Sequence, residues 1–268
     1  MKASTVDLPL KVKEYLLERI TREGSIHVTL IDPEKQDHRE AGSIAAEAEE
    51  AGTAAIMVGG STLASTDQLS LTVRAIKERV KVPVILFPSN VAGITPYADA
   101  VWFMSLLNSS NPYFIVGVQA LAAPMIKQYG LEALPMGYII VGDGGAAGFI
   151  GQAQLIPYDR PSLASLYALA AELFGMQFVY LEAGSGAERP VPPEMISFVR
   201  SAVDIPLIVG GGLRTKRAVM DAASAGADII VTGTVLEERP ASVKKTLTAL
   251  VEGIREAGVT RKRLAEKH

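Results

Sequence analysis

Eight short, mainly apolar runs punctuate this chain, and most of them do not alternate. They are SIHVTLID (25–32), AAIMVGG (54–60), VPVILFP (82–88), DAVWFMSLL (99–107), MGYIIVG (136–142), QFVYLEAG (177–184), PLIVGG (206–211) and DIIVTGT (228–234). A strand with one wet face alternates apolar and polar residues, whereas a strand covered on both faces need not. Segments with helical character separate the runs: 9–22 ahead of the first, then 38–51, 67–80, 112–129, 160–174, 192–202, 214–225 and 240–257. Strand–helix repetition builds a parallel sheet, and eight strands in 268 residues predict closure into an α/β fold of the (β/α)8 TIM-barrel type. A doubly wound open sheet is the alternative. The expectation is one barrel domain over 1–268 with an added N-terminal helix and a charged tail, RKRLAEKH, that frays.

Two places break the rhythm. SNVAGITPYA (89–98), between the third and fourth strands, is too short and too rich in Gly and Pro for a full helix. The third barrel helix is therefore expected to be missing or replaced by an extended segment, leaving a gap in the outer ring. DGGAAGFIGQAQLIP (143–157) reads as a long loop after the fifth strand.

Composition removes several classes of function. A net charge of −3 argues against a nucleic-acid surface, which needs a basic field. With no cysteine, disulfides, thiolate metal sites and cysteine nucleophiles are excluded. No signal peptide is visible, and no uncharged apolar run reaches the ~18 residues a membrane span requires. The expected location is cytoplasmic, with transient contact with membrane lipids open to an enzyme of amphiphiles.

In barrels of this type, active sites lie at the C-terminal ends of the strands, and phosphate often binds after strands seven and eight. Strand seven ends in Gly210, Gly211 and Gly212, and strand eight in Gly233 and Thr234. Arg214 then opens a helix whose N-terminal amides favour an anion. The two tips together are read as one phosphate clamp; glycines that only make tight turns are the plainer alternative.

Asp32 ends strand one in LIDPEK, and Ser61 and Thr62 follow strand two in MVGGST. One carboxylate and one hydroxyl make a partial site for Mg2+, which keeps several waters and shares substrate phosphates. Asp32 as the cap of a turn or of the next helix is the equal alternative. His27, His38 and His268 have no metal-ligand spacing, and His27 reads as a packed strand residue. In FVYLEAGSGA (178–187), Tyr180 and Glu182 share a strand face, and Ser185 and Gly186 follow in a loop able to present amides. Glu182 at this rim suits binding or deprotonating a substrate hydroxyl. Its alternative is a structural ion pair.

HVTLIDPEK, VGGST, YLEAGSG, VGGGLRT and TGT, in this order and spacing, resemble the archaeal geranylgeranylglyceryl phosphate synthases and their bacterial heptaprenylglyceryl phosphate relatives. The likeness runs from about residue 24 to 250, and that family's barrel also lacks the third helix. The resemblance implies a prenyltransferase of ether-lipid biosynthesis: the 3-hydroxyl of sn-glycerol 1-phosphate attacks C1 of geranylgeranyl diphosphate and diphosphate leaves. It implies Mg2+ on Asp32 and Ser61. It implies glycerol phosphate on Tyr180, Leu181, Glu182, Ala183, Gly184, Ser185 and Gly186, with the phosphate on Gly211, Gly212, Gly233 and Thr234. Glu182 would orient the hydroxyl and take its proton, with the diphosphate as a competing base, and Tyr180 would orient glycerol or stabilise developing positive charge. Trp102 is either a wall that limits tail length or ordinary core. Family members form dimers or larger assemblies, so a homo-oligomer is expected, with ALAAPMIKQYGLEALPMGYII (120–140) as one source of apolar helix faces. A longer prenyl donor, a sugar-phosphate isomerase or lyase, and a phosphate-sensing barrel are the competing readings; no lysine lies in the strand cores to form a lyase's Schiff base.

Overall fold

In the computed structural model, which describes residues 11–63, 65–233 and 243–265, eight parallel strands close in sequence order. They are β1 (Ile26–Ile31), β2 (Ala55–Val58), β3 (Val84–Leu86), β4 (Ala100–Leu106), β5 (Glu132–Ile140), β6 (Phe178–Glu182), β7 (Leu207–Gly210) and β8 (Ile229–Thr232). β8 pairs with β1, His27 opposite Ile230, so no strand is left as an edge. The barrel, not the open sheet, is what the mainly apolar strands build.

Alternate residues divide two cores. Val28 in β1, Trp102 and Leu106 in β4, Met136, Tyr138 and Ile140 in β5, and Phe178 and Tyr180 in β6 fill the barrel. Ile31, Ile56, Val101, Ile139, Val179, Leu181 and Val209 face outward into the helical layer. That layer includes α2 (His38–Ala51), α3 (Thr66–Lys77), α4 (Val118–Tyr129), α6 (Pro161–Leu173), α7 (Pro193–Arg200), α8 (Lys216–Ser224) and the C-terminal helix Val243–Ala265. Both faces of each strand are dry, which is why most runs carry no polar alternation; in β1, where His27 and Thr29 alternate with apolar residues, both are buried.

The N-terminal helix α1 (Val12–Glu23) closes the barrel's lower end. Its Leu16 is fully buried in the same cluster as Ile26, Ala100 and Leu134. No side chain of its own caps the helix. Glu132, at the start of β5, does so instead, accepting from the amides of Val12 at 2.6 Å and Lys13 at 3.0 Å.

After β3 comes only a 3-10 turn, Val91–Gly93, before β4. The outer ring lacks a helix here, as the Gly- and Pro-rich stretch predicts. The stretch 143–157 is not all loop: α5 (Gly145–Ile150) forms within it. The tail is not frayed at its start, because the C-terminal helix continues through 265. Arg261 holds it there, bonding Asp228 at 2.6 Å, the Ala227 carbonyl at 3.0 Å and the Gly24 carbonyl. Asp228 also takes Arg200 at 2.7 Å, so a nearly buried carboxylate lies between two guanidinium groups. Among the described residues no helix is long and apolar enough to cross a membrane.

Candidate active site

One cavity opens at the C-terminal ends of the strands, and its lining reaches nearly every strand. The inward phase of β1 delivers Asp32 to it, and the inward phase of β6 delivers Tyr180 and Glu182. Ser61, Thr62, Ser185, Gly211, Gly212 and Gly233 also line it. The sequence-predicted residues thus meet in one place, with exceptions. Leu181 and Ala183 turn their side chains into the outer core, and neither they nor Gly184 and Gly186 line the cavity. Thr234 and His268 lie outside the described residues.

Glu182 is 6% exposed and has no cationic partner. Its Oε1 accepts from the Gly184 amide at 2.6 Å, and the hydroxyls of Tyr180 and Tyr138 donate to the carboxyl. Burial pushes its pKa up, and these three bonds pull it partly back. Burial and the adjacent carboxylate raise both tyrosines well above the usual phenol value. The structural ion pair is therefore not the arrangement found: a desolvated carboxylate held by phenols is poised to exchange a proton.

The glycines of β7 serve that pair. A Cβ at Gly211, whose φ is +84°, would lie 2.5 Å from Glu182 Oε1, and one at Gly210 would overlap the Tyr180 hydroxyl. The run GGG was read as an anion clamp; two of its members first make room for Tyr180 and Glu182. Helix α8 begins at Lys216 rather than at Arg214, with Thr215 Oγ1 capping the Ala218 amide. Arg214 lines the cavity while its guanidinium donates to the Ala187 carbonyl at 2.6 Å.

Tyr138 is the functional candidate that sequence reasoning missed. It sits opposite Tyr180 in the β5–β6 register. Tyr138, Tyr180 and Phe87 form an aromatic triangle with centroids 5.2–5.9 Å apart. An apolar wall continues from it through Pro88, Met104, Leu106, Phe114, Val118 and Ile150. Phe114 belongs to a π-helical turn, Tyr113–Gly117, ahead of α4. Such turns re-aim side chains at functional sites. This wall faces the sector where the helix is missing. Trp102 is not part of it. The indole is buried below, donating to the Met57 sulfur at 3.1 Å and meeting the Phe178 ring edge-on, so it is barrel core and does not bound the cavity.

At the other margin, Asp32 Oδ1 accepts from the Glu34 amide at 3.0 Å, so the carboxylate does cap its own turn, while Asp37 caps α2. It also faces the cavity, because a Cβ at Gly60 would lie 2.6 Å from Oδ1. Among the described residues there is no cluster of three or more His, Cys, Asp or Glu able to hold a metal. Asp32 and Ser61 fit only a hard cation that keeps waters and shares a substrate's oxygens. His27 is buried, between Thr53 Oγ1 at 3.0 Å and Thr232 Oγ1 at 2.8 Å. Burial lowers its pKa to about 3 and keeps it neutral. It is a packed strand residue on the outer face of β1.

Against known proteins, the PcrB family model matches residues 18–254. Geranylgeranylglyceryl phosphate synthase of Thermofilum pendens is 51% identical over 253 residues, covering 94% of this chain and 98% of the relative. That of Thermococcus kodakarensis is 52% identical over 242 residues, covering 90% and 95%. The structure of (S)-3-O-geranylgeranylglyceryl phosphate synthase from Thermoplasma acidophilum, in complex with substrate sn-glycerol-1-phosphate, superposes with a TM-score of 0.89 at 44% identity, covering 92% of this chain and 99% of that one. A barrel matched along nearly its whole length, with a buried Tyr–Glu pair at its mouth, belongs to the PcrB family.

Proposed function

We propose that this chain transfers the geranylgeranyl group of geranylgeranyl diphosphate to the 3-hydroxyl of sn-glycerol 1-phosphate, releasing diphosphate. The observation that carries the reading is Glu182: a buried carboxyl, held by two tyrosines, between a glycine-tipped polar margin and a long apolar wall. The relatives' names supply the substrates, and the geometry has a place for each part of them.

Glycerol phosphate fits the margin made by β6, β7 and β8. Its phosphate takes main-chain amides around Ser185, Gly211–Gly212 and Gly233, with Arg214 nearby. Its hydroxyls meet Glu182, which removes the proton as the oxygen attacks. Tyr180 and Tyr138 hold the carboxyl in place and present ring faces that tolerate positive charge at the allylic carbon. The prenyl tail lies along Phe87, Met104, Leu106, Phe114 and Val118. Both ends being fixed, the reaction depends more on alignment than on a strong nucleophile. Asp32 and Ser61 would hold Mg2+, which when bound supplies charge to the leaving diphosphate.

We further propose one working domain, a cytoplasmic location with passing contact with membrane lipids, and a homo-oligomer. Support for the last comes from α6, which exposes Leu163, Leu166 and Leu173, and from exposed Val116 and Leu121 of the α4 region. The apolar face centres on α6 as much as on the stretch 120–140.

The test is transfer from labelled geranylgeranyl diphosphate with Mg2+, using sn-glycerol 1-phosphate and, in parallel, sn-glycerol 3-phosphate and a heptaprenyl donor. An organic-soluble ether phosphate made fastest from the 1-phosphate and the geranylgeranyl donor supports the reading. Preference for the heptaprenyl donor moves the chain to the longer-tail activity at the same site. No product from any pair refutes the transferase.

A further inference from the structure

We infer that Lys35 is an exchangeable cation: it stands beside the Asp32 carboxylate and passes to the donor's diphosphate when metal and donor bind. The inference rests on the reading that Asp32 marks the diphosphate end of the cavity.

Two cations line the cavity among the described residues, Lys35 and Arg214. They belong to different margins. Arg214 follows the glycines of β7 and is tied to the Ala187 carbonyl. Lys35 Nζ stands 4.0 Å from Asp32 Oδ2. The reaction brings together two phosphate-bearing substrates, and each margin has one cation to meet one of them.

The backbone carrying Lys35 is fixed, and its side chain is not enclosed. The turn is closed by the Lys35 amide on the Asp32 carbonyl at 3.1 Å and by the Glu34 amide on Asp32 Oδ1. The Glu34 carboxylate takes the Thr62 hydroxyl, and Gln68 Nε2 donates to the Pro33 carbonyl at 2.5 Å. The turn is thereby stapled to the loop and helix after β2. The lysine side chain is 41% exposed, and the carboxylate it faces is 14% exposed. A flexible four-carbon stem on an anchored backbone lets the ammonium change partners without moving the chain.

Charge drives the exchange. A carboxylate this sheltered needs a positive neighbour. A divalent cation held by Asp32 would repel the ammonium from it. A diphosphate carries more negative charge than one divalent cation cancels, so the displaced ammonium has a second partner within the same cavity. Lys35 then offsets charge that grows on the leaving group as the C1–O bond breaks.

The inference has a sign that a structural role lacks. Lys35 competes with metal for Asp32 but assists diphosphate, so removing it should move the two affinities in opposite directions. The experiment is calorimetric titration of the full chain with Mg2+ alone, then with inorganic diphosphate at saturating Mg2+, for wild type, Lys35→Met, Lys35→Arg and Asp32→Asn. Steady-state KM for both substrates is measured alongside. Lys35→Met is expected to bind Mg2+ roughly threefold more tightly and diphosphate roughly tenfold more weakly. Its KM for the prenyl donor rises while that for sn-glycerol 1-phosphate stays put, and Lys35→Arg recovers most of the diphosphate affinity. Weakened Mg2+ binding in Lys35→Met would make the lysine a prop for Asp32 and overturn the inference, as would unchanged diphosphate binding. If Asp32→Asn binds Mg2+ and diphosphate like wild type, the assignment of that margin is what has failed, and the role of Lys35 falls with it.

Discussion

Gly210 of β7 lies against the hydroxyl of Tyr180 so closely that any side chain there would occupy the phenol's place. Tyr180 is 1% exposed and walled by Phe87 and Tyr138, so it has nowhere to retreat. Gly210→Ala should therefore cost about 1–3 kcal/mol of stability, the range for overpacking a filled core. It should also lower kcat more than it raises KM for glycerol phosphate, because the displaced tyrosine releases Glu182. Thermal melts and steady-state kinetics check both. A variant with wild-type kcat would show that Tyr180 does not hold the carboxyl in a way the reaction needs.

Glu182→Gln separates stability from turnover. The carboxyl is raised by burial, so between the ordinary carboxylate value and its folded value the native state holds a proton that the unfolded state has released. Its contribution is greatest at low pH and declines as pH rises through that window. The glutamine, which keeps an oxygen for the Gly184 amide, escapes the decline. Relative to wild type, Glu182→Gln should gain melting temperature as pH rises above the ordinary carboxylate range, while losing about 10²–10⁴-fold in kcat, the span of general-base catalysis. Wild-type kcat should rise across the same window as the base ionises. Parallel melting curves at every pH would contradict a raised carboxyl.

His27 gives the opposite pH signature. Its folded pKa lies near 3, below the free value, so the unfolded chain takes up a proton that the native state refuses. Stability from this group is intact above about pH 6.5 and falls as pH drops toward 3, by up to about 1.4 kcal/mol per pH unit. In His27→Gln that slope should vanish, although the loss of bonds to Thr53 and Thr232 lowers stability at neutral pH by about 1–3 kcal/mol. Urea midpoints at pH 7, 5.5 and 4.5 decide it: equal acid losses in both proteins would place the proton elsewhere.

Arg261→Ala should destabilise by about 1–3 kcal/mol, since Asp228 keeps Arg200 and the Ala227 carbonyl keeps the Ser25 hydroxyl, but the Gly24 carbonyl loses its donor. Glycerol phosphate binding, at the far end of the strands, should be unaffected. Chemical denaturation together with a KM measurement tests this. A change below 0.5 kcal/mol, the scatter of ordinary surface substitutions, would return the tail to the frayed state that its charges suggest.

The strands were legible because burial on both faces writes a mainly apolar word, and the missing helix because Gly and Pro cannot write a helical one. Tyr180 and Glu182 could be placed on one face from alternation alone. Tyr138 could not, since it reaches Glu182 through the β5–β6 register, which barrel closure sets and no local pattern encodes. The β7 glycines illustrate a different limit. A glycine announces that something comes close without naming it, and here the visitors to Gly210 and Gly211 are side chains of β6. Arg261 was hidden for a third reason: in a run of charges, nothing local marks the one that will find a carboxylate on a distant strand end. The six residues of α5, rich in Gly and Ala, are too few to establish a helical period.

The helix across the lower end has a consequence for traffic. With Leu16 seated under the strands and the indole of Trp102 packed above it, the described residues close the barrel below, and the cavity opens at the other end. Whatever enters with its tail along the wall must leave by the same doorway, now carrying a second headgroup. The waiting acceptor and the departing lipid share one threshold, so the order of arrival and exit is part of the architecture, and a slow last step needs no barrier in the chemistry to explain it.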